Sequence, residues 1–202
     1  MSSQKTDTNQ DIFQLKLVLM GIKPPIWRRI LVSKKTTFYD LHHILQIAMG
    51  WDNYHLYQFE TEGMCIGLPE YLDEFDEVEM VEAATVALED VILGTNTKFC
   101  YEYDFGDSWR HQIELEKVLP LDSSNQYPFC IAGARRCPPE DCGGIPGYEN
   151  FIEAINNKRH PEHKSNLTWV GGQYDATYFD KESINAELGS LDEYITEYLK
   201  PE

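Results

Sequence analysis

Six side chains in this sequence have the types that hydrolytic metal chemistry uses: His55, Asp104, Asp107, His111, Glu140 and Asp141. Imidazoles and carboxylates hold a divalent ion that activates water, or serve as bases beside it. The narrowest ligand set among them is His55, Asp107, His111 and Glu140. The sequence offers no HExxH or comparable local ligand pair, so the site has to assemble from separate strands and a loop. A structural reading competes at each position. Asp107 follows Gly106 and suits a turn. Asp104 can pair with Arg110, and His111 reads equally as a core histidine bonded to a backbone carbonyl.

Most of these residues lie in two dense motifs, Tyr101-Glu-Tyr-Asp-Phe-Gly-Asp-Ser-Trp-Arg-His111 and Cys137-Pro-Pro-Glu-Asp-Cys-Gly-Gly-Ile-Pro-Gly-Tyr148. The second has binding features of its own. Gly143 and Gly144 precede a predicted helix, where exposed N–H groups can hold an anion. Arg135 and Arg136 stand just upstream as a clamp for phosphate or carboxylate. Glu140 and Asp141 oppose an anion unless a cation or those arginines neutralise them. With Tyr103 and Trp109 as aromatic walls, the ligand-binding candidates are Tyr103, Asp104, Asp107, Trp109, Arg135, Arg136, Glu140, Asp141, Gly143 and Gly144. Cys130, Cys137 and Cys142 offer thiolates to zinc, but their spacing is not that of a zinc knuckle. Trp27, Arg28, Arg29, Lys34 and Lys35 form a basic cluster suited to single-stranded nucleic acid. Adjacent arginines on a strand point to opposite faces, which halves that patch.

The elements that position these groups follow from periodicity. Phe13–Met20 and Ile26–Ser33 read as a hairpin around Gly21-Ile-Lys-Pro-Pro25. Thr37 caps a helix with Phe38, Leu41, Leu45 and Ala48 on one face, stopped by Gly50. His55–Glu60 returns as a strand, which gives a β-grasp-like N-terminal half. Residues 61–84 read as an acidic loop, with one helical turn near Leu72–Val78, and Leu88–Leu93 as a short helix or turn. Phe99–Asp104 and Trp109–Leu119 form a second hairpin. A three-residue loop, Gly106-Asp107-Ser108, pairs Tyr103 with His111 and Tyr101 with Ile113, and sets Asp104 against Arg110. Residues 120–147 read as irregular. Helices are predicted at Tyr148–Asn156, Glu162–Val170 and Lys181–Leu199.

Composition limits the function. The chain of 202 residues has net charge −17. Residues 60–92 hold eleven acids and no Lys or Arg, and residues 173–202 hold eight acids against two bases. Such a field repels nucleic acid over most of the surface. No apolar run approaches a bilayer span of about 20 residues. The polar start, Met1–Gln10, and five cysteines predict a cytoplasmic protein with a disordered tail over residues 1–11. Residues 12–202 then form a single α+β domain, with a mixed or antiparallel sheet and C-terminal helices.

The sequence also resembles a family. Ile22-Lys-Pro-Pro-Ile-Trp-Arg-Arg29, Phe38-x-x-Leu41-His42, Trp51-x-x-x-His55-Leu56, Tyr103-Asp-Phe-Gly-Asp-x-Trp-x-His111 and Pro138-Pro-Glu-Asp-x-Gly-Gly144 occur in order across about residues 12–180. Together they look like the Ri-plasmid open-reading-frame-three-like family, which includes passenger proteins of insertion elements, some under a resolvase-like label. The resemblance implies an α+β domain associated with plasmids and mobile elements. It carries no catalytic residues across. A serine recombinase needs a nucleophile set among arginines and a basic DNA-binding end; residues 173–202 are acidic instead.

Two functions are compatible with these residues. One is a non-enzymatic binding or accessory module whose aromatic-acidic groove takes a protein, peptide or small polar ligand of basic character. The other is a metal-dependent hydrolase acting on a phosphate ester or nucleic acid, with a divalent metal as its cofactor.

Overall fold

The structure, a computed structural model, describes residues 11–71 and 79–198. The tail expected over residues 1–11, apart from Asp11, and the helical turn expected near residues 72–78 lie outside the described residues.

Strands β1 (Asp11–Leu19) and β2 (Trp27–Ser33) form the antiparallel hairpin that their alternation predicts. Leu15, Leu17, Leu19, Ile30 and Val32 point into the core, and Lys16 and Arg29 point away. Helix α1 (Phe38–Met49) begins where the Thr37 hydroxyl accepts the Asp40 N–H at 3.0 Å. It ends at Gly50, whose φ of 82° is cheap only for glycine. Phe38, Leu41, Leu45 and Ala48 are buried against the sheet, as their spacing requires.

β3 (Tyr57–Thr61), β4 (Met64–Gly67), β5 (Met80–Glu82), β6 (Lys98–Tyr103), β7 (Trp109–Pro120) and β8 (Phe129–Ala134) complete one eight-stranded mixed sheet. Its order is β5-β4-β3-β6-β7-β1-β2-β8. Only the β4–β5 pair is parallel. The hairpin, helix and returning strand of the N-terminal half are present, with β6 and β7 lying between β1 and β3. Short helix α2 (Leu88–Val91) follows β5. The C-terminal helices are α3 (Gly144–Asn156), α4 (His163–Trp169), α5 (Lys181–Leu188) and α6 (Leu191–Tyr198). The fold is a single α+β domain. Along the first part of β7 burial alternates residue by residue, so one sheet face packs on the core and the other meets solvent.

Four expectations need correction. The acidic segment 61–84 is not merely a loop: it contributes β4 and β5, and Ile66 and Ala83 are fully buried. Its acids hide a short edge-strand pattern. Residues 120–147 contain β8, which pairs with β2 and supplies buried Cys130. The helix expected over Lys181–Leu199 is two, interrupted at Gly189 and Ser190. The β6–β7 hairpin closes with Tyr103 opposite Trp109 and Tyr101 opposite His111, leaving residues 104–108 as a five-residue turn. A two-residue slip keeps every side chain on its face, so hydrophobic alternation could not distinguish the registers. Asp104 therefore does not face Arg110. Arg110 lies opposite Glu102 and donates to Glu60 at 2.8 Å.

The basic cluster is dispersed by the same alternation. Arg29 grips Glu116 through two bonds of 2.6 and 2.8 Å, and Lys34 lies near Asp11 and Glu89. Arg28 turns inward and is 3% exposed. Its Nε donates to the Ala48 carbonyl at 2.7 Å, and Nη1 donates to the Trp27 and Ala134 carbonyls. A cation on a carbonyl near the C-terminus of α1 complements that end of the helix dipole. Arg28 thereby ties α1 to β2 and β8.

Candidate functional site

Three segments converge at one end of the sheet: the stretch 50–56 after α1, the turn 104–108, and the loop 135–143 before α3. Each is held by specific bonds. Asp104 leaves the ladder with φ 57°, its N–H donating to the Leu56 carbonyl at 2.9 Å. One oxygen of its carboxylate, Oδ1, accepts the N–H groups of Gly106 and Asp107, fixing the turn. Asp107 reaches across to accept the Gly143 N–H at 3.0 Å. At Gly144, with φ 66°, a Cβ would stand 2.7 Å from the Asp107 carbonyl oxygen. Only glycine permits that approach. The two sequence motifs thus meet.

Behind them lies a buried polar relay. His42 Nε2 lies 2.7 Å from Asn53 Oδ1, and its Nδ1 lies 2.8 Å from the Tyr101 hydroxyl. Since the Asn53 oxygen can only accept, Nε2 carries the proton and Tyr101 donates to Nδ1. Gln46 Nε2 donates to the same hydroxyl at 2.8 Å. Burial and the adjacent His43 hold His42 far below the usual imidazole range, so the relay is neutral. Asn53, with φ 63°, anchors the loop that carries His55.

At the mouth, His55 Nε2 faces three carboxylates: Asp141 Oδ1 at 3.1 Å, Asp104 Oδ2 at 3.7 Å and Glu140 Oε2 at 3.8 Å. The ligand atoms of His55, Asp104 and Asp141 lie within 4.8 Å of one another. Asp104 and Glu140 are largely buried and Asp141 is exposed. Glu140 accepts the Asp52 N–H at 2.9 Å and the Tyr103 hydroxyl at 3.1 Å. Burial raises its pKa above the usual carboxylate range, and those bonds only partly oppose the shift. Tyr103 also accepts the Tyr54 N–H at 3.0 Å, so one phenol orients both Glu140 and the His55 loop. No Lys or Arg among the described residues forms an ion pair with these carboxylates.

The remaining candidates fall elsewhere. His111 is fully buried on the inner face, edge-on to Trp51, with Nδ1 3.4 Å from the Tyr101 carbonyl oxygen. Burial depresses its pKa to about 3. It is absent from the cluster at the mouth. Asp107 serves the Gly143 N–H, and with that carboxylate at the start of α3 the expected anion site is already filled from within the chain. Trp109 is fully buried. Arg135 has φ 72°, and Arg136 lies over the Tyr174 ring at 4.9 Å. Neither forms an ion pair with the carboxylates of the mouth. Cys130, Cys137 and Cys142 do not gather as a metal group among the described residues. Burial pushes the thiols of Cys137 and Cys142 up to about 11 and about 12.

Sequence reasoning missed Asp52 and Asn53. An Asp-Asn pair just after a helix-stopping glycine is the signal that could have found them, because Asn tolerates left-handed backbone. It also missed a cleft of about 680 Å³ on the far side of Glu140, bounded by the end of α1, the 136–140 loop and α5. Among the described residues, no helix is long and apolar enough to cross a membrane.

Comparison with known proteins agrees with this fold. Uncharacterized protein y4hQ of Sinorhizobium fredii (strain NBRC 101917 / NGR234) is 35% identical over 182 residues, covering 89% of this chain and 92% of its own. The crystal structure of a protein of unknown function, MM3350 from Methanosarcina mazei Go1, superposes with a TM-score of 0.76 at 38% identity, covering 87% of this chain and 97% of that one. The family described as Plasmid pRiA4b ORF-3-like protein matches residues 11–183, and the chain belongs to it.

Proposed function

We propose that this protein is a binding module whose acidic mouth takes a divalent cation. One observation carries the reading: a single imidazole and three carboxylates converge without a basic side chain paired to them. Carboxylates about 4 Å apart repel by roughly 1–4 kcal/mol, depending on their exposure. A divalent ion removes that repulsion. Ligands at about 2.0–2.3 Å from an ion lie roughly 3–4.5 Å from each other, which suits the spacing of His55, Asp104 and Asp141. One nitrogen with several oxygens favours zinc or manganese over calcium.

A second reading, a metal-dependent hydrolase of phosphate esters, is favoured by Glu140. Its carboxyl has a raised pKa, stands 3.8 Å from His55 Nε2 and lines the cleft. Such a group suits proton transfer from metal-activated water.

The test is metal content and calorimetric titration of protein purified without an affinity tag. One equivalent of zinc or manganese is expected, lost in His55→Ala and Asp141→Asn. Absence of saturable binding by either ion removes the proposal. Turnover of a phosphate-ester panel by the loaded protein, abolished by Glu140→Gln, selects the hydrolase.

A further inference from the structure

We infer that the 680 Å³ cleft beside the mouth is a docking site for a lysine- or arginine-rich segment of a partner protein. The volume is that of an occupied ligand pocket rather than of a packing defect. Its walls carry four carboxylates, from Asp52, Glu140, Asp180 and Glu187, against the guanidiniums of Arg28 and Arg136. The Arg28 guanidinium is not open to an anion. Arg28 is buried, bonded to three carbonyls and covered by the Phe179 ring at 4.9 Å. Arg136 is exposed and lies over Tyr174, so it is the one cation that the four carboxylates of the walls outnumber. The acids divide differently. Asp180 is used by the Ser183 N–H and the Tyr178 hydroxyl. The carboxylates of Asp52 and Glu187 make no hydrogen bond or ion pair among the described residues.

Aromatic faces complete the chemistry. Trp169 is 48% exposed and Tyr178 is 52% exposed, and both line the cleft. An open indole or phenol face beside unpaired carboxylates recognises a guanidinium or ammonium by cation–π attraction and ion pairing together. The resident arginines stack on Tyr174 and Phe179 in the same manner. A macromolecular partner is favoured over a small cation because the acidic field continues past the cleft. Along α5 and α6, Glu182, Glu187, Asp192, Glu193 and Glu197 extend it with Lys181 as the only base. A segment with several positive charges matches that length.

The experiment titrates full-length protein, with chelator present, against two ten-residue peptides that differ only in carrying lysines or glutamates. The lysine peptide is expected to bind at least about tenfold more tightly, and to weaken as salt rises from about 50 to about 300 mM. Trp169→Ala and Glu187→Gln should each weaken it by about threefold or more, and Glu187→Gln, whose side chain makes no hydrogen bond or ion pair among the described residues, should keep a thermal midpoint near wild type. Equal binding of the two peptides, or no saturable binding by either, overturns the inference. So does undiminished binding by the double variant of Trp169 and Glu187. Chelation separates this site from the metal mouth: binding that requires added metal assigns the peptide to the mouth and also overturns the inference.

Discussion

Asp107 accepts the Gly143 N–H at 3.0 Å, and through that bond the β6–β7 turn holds the loop that carries Glu140 and Asp141. Gly144 extends the contact, since its Cα lies against the Asp107 backbone where no side chain fits. The mouth is built by two loops that stabilise each other, with the stretch 50–56 after α1 supplying the third wall.

Gly144→Ala tests this junction. The added methyl meets the Asp107 carbonyl at 2.7 Å and must adopt a left-handed φ of 66°. Urea unfolding should show a loss of about 2–4 kcal/mol. Metal affinity should fall more in this variant than in a surface control of equal stability, because the loops separate.

Asn53→Ala should cost about 2–4 kcal/mol, through the lost bond to His42 and an alanine forced to a φ of 63°. Asn53→Gly relieves the backbone and not the bond, so it should recover part of the stability. If both variants match wild type in chemical denaturation, the relay is not what holds the His55 loop.

His111→Ala should cost about 1–3 kcal/mol in chelator while leaving metal stoichiometry unchanged, as expected of a core residue. Unchanged stability with lost metal would place His111 in the site.

The buried imidazoles set the acid response. The folded pKa values of His111 and His43 are depressed, to about 3 and about 4, below an unfolded value near 6.5. Their contribution is therefore complete above pH about 6.5 and declines as pH falls toward those folded values. Unfolding free energy should drop by about 1–3 kcal/mol per buried histidine between pH about 6.5 and 4.5. His111→Phe should flatten that slope when measured at several pH values.

Glu140 acts in the opposite sense. Its raised folded pKa favours the protonated carboxyl, so its contribution is present at acid pH and is lost as pH rises through the folded value. In chelator, Glu140→Gln should raise the thermal midpoint at neutral pH. Added metal should stabilise wild type more than this variant.

The amino-acid sequence by itself determined the local elements and the facing of their side chains. Thr37, Asp40 and Gly50 bounded α1 because capping and left-handed backbone depend on a few adjacent residues. Alternation placed Tyr101, Tyr103, Trp109 and His111 on the buried face, since strand geometry alone fixes period two. The family motifs also marked the residues that converge.

What the tertiary structure decided depended on distance in space. The hairpin register was set by the Asp104 carboxylate on two turn N–H groups and by its own N–H on Leu56, a partner 48 residues away in sequence. Strands β4, β5 and β8 were recognisable only through their partners in the sheet, because runs this short do not show a clear period of two. His55, Asp104, Glu140 and Asp141 come from three separate segments, and no local rule could say which of the six candidates would meet. His55 lies in the bend before β3 rather than on a strand, so no alternation fixed its direction; Asn53 on His42 and the Tyr54 N–H on Tyr103 hold its loop at the mouth.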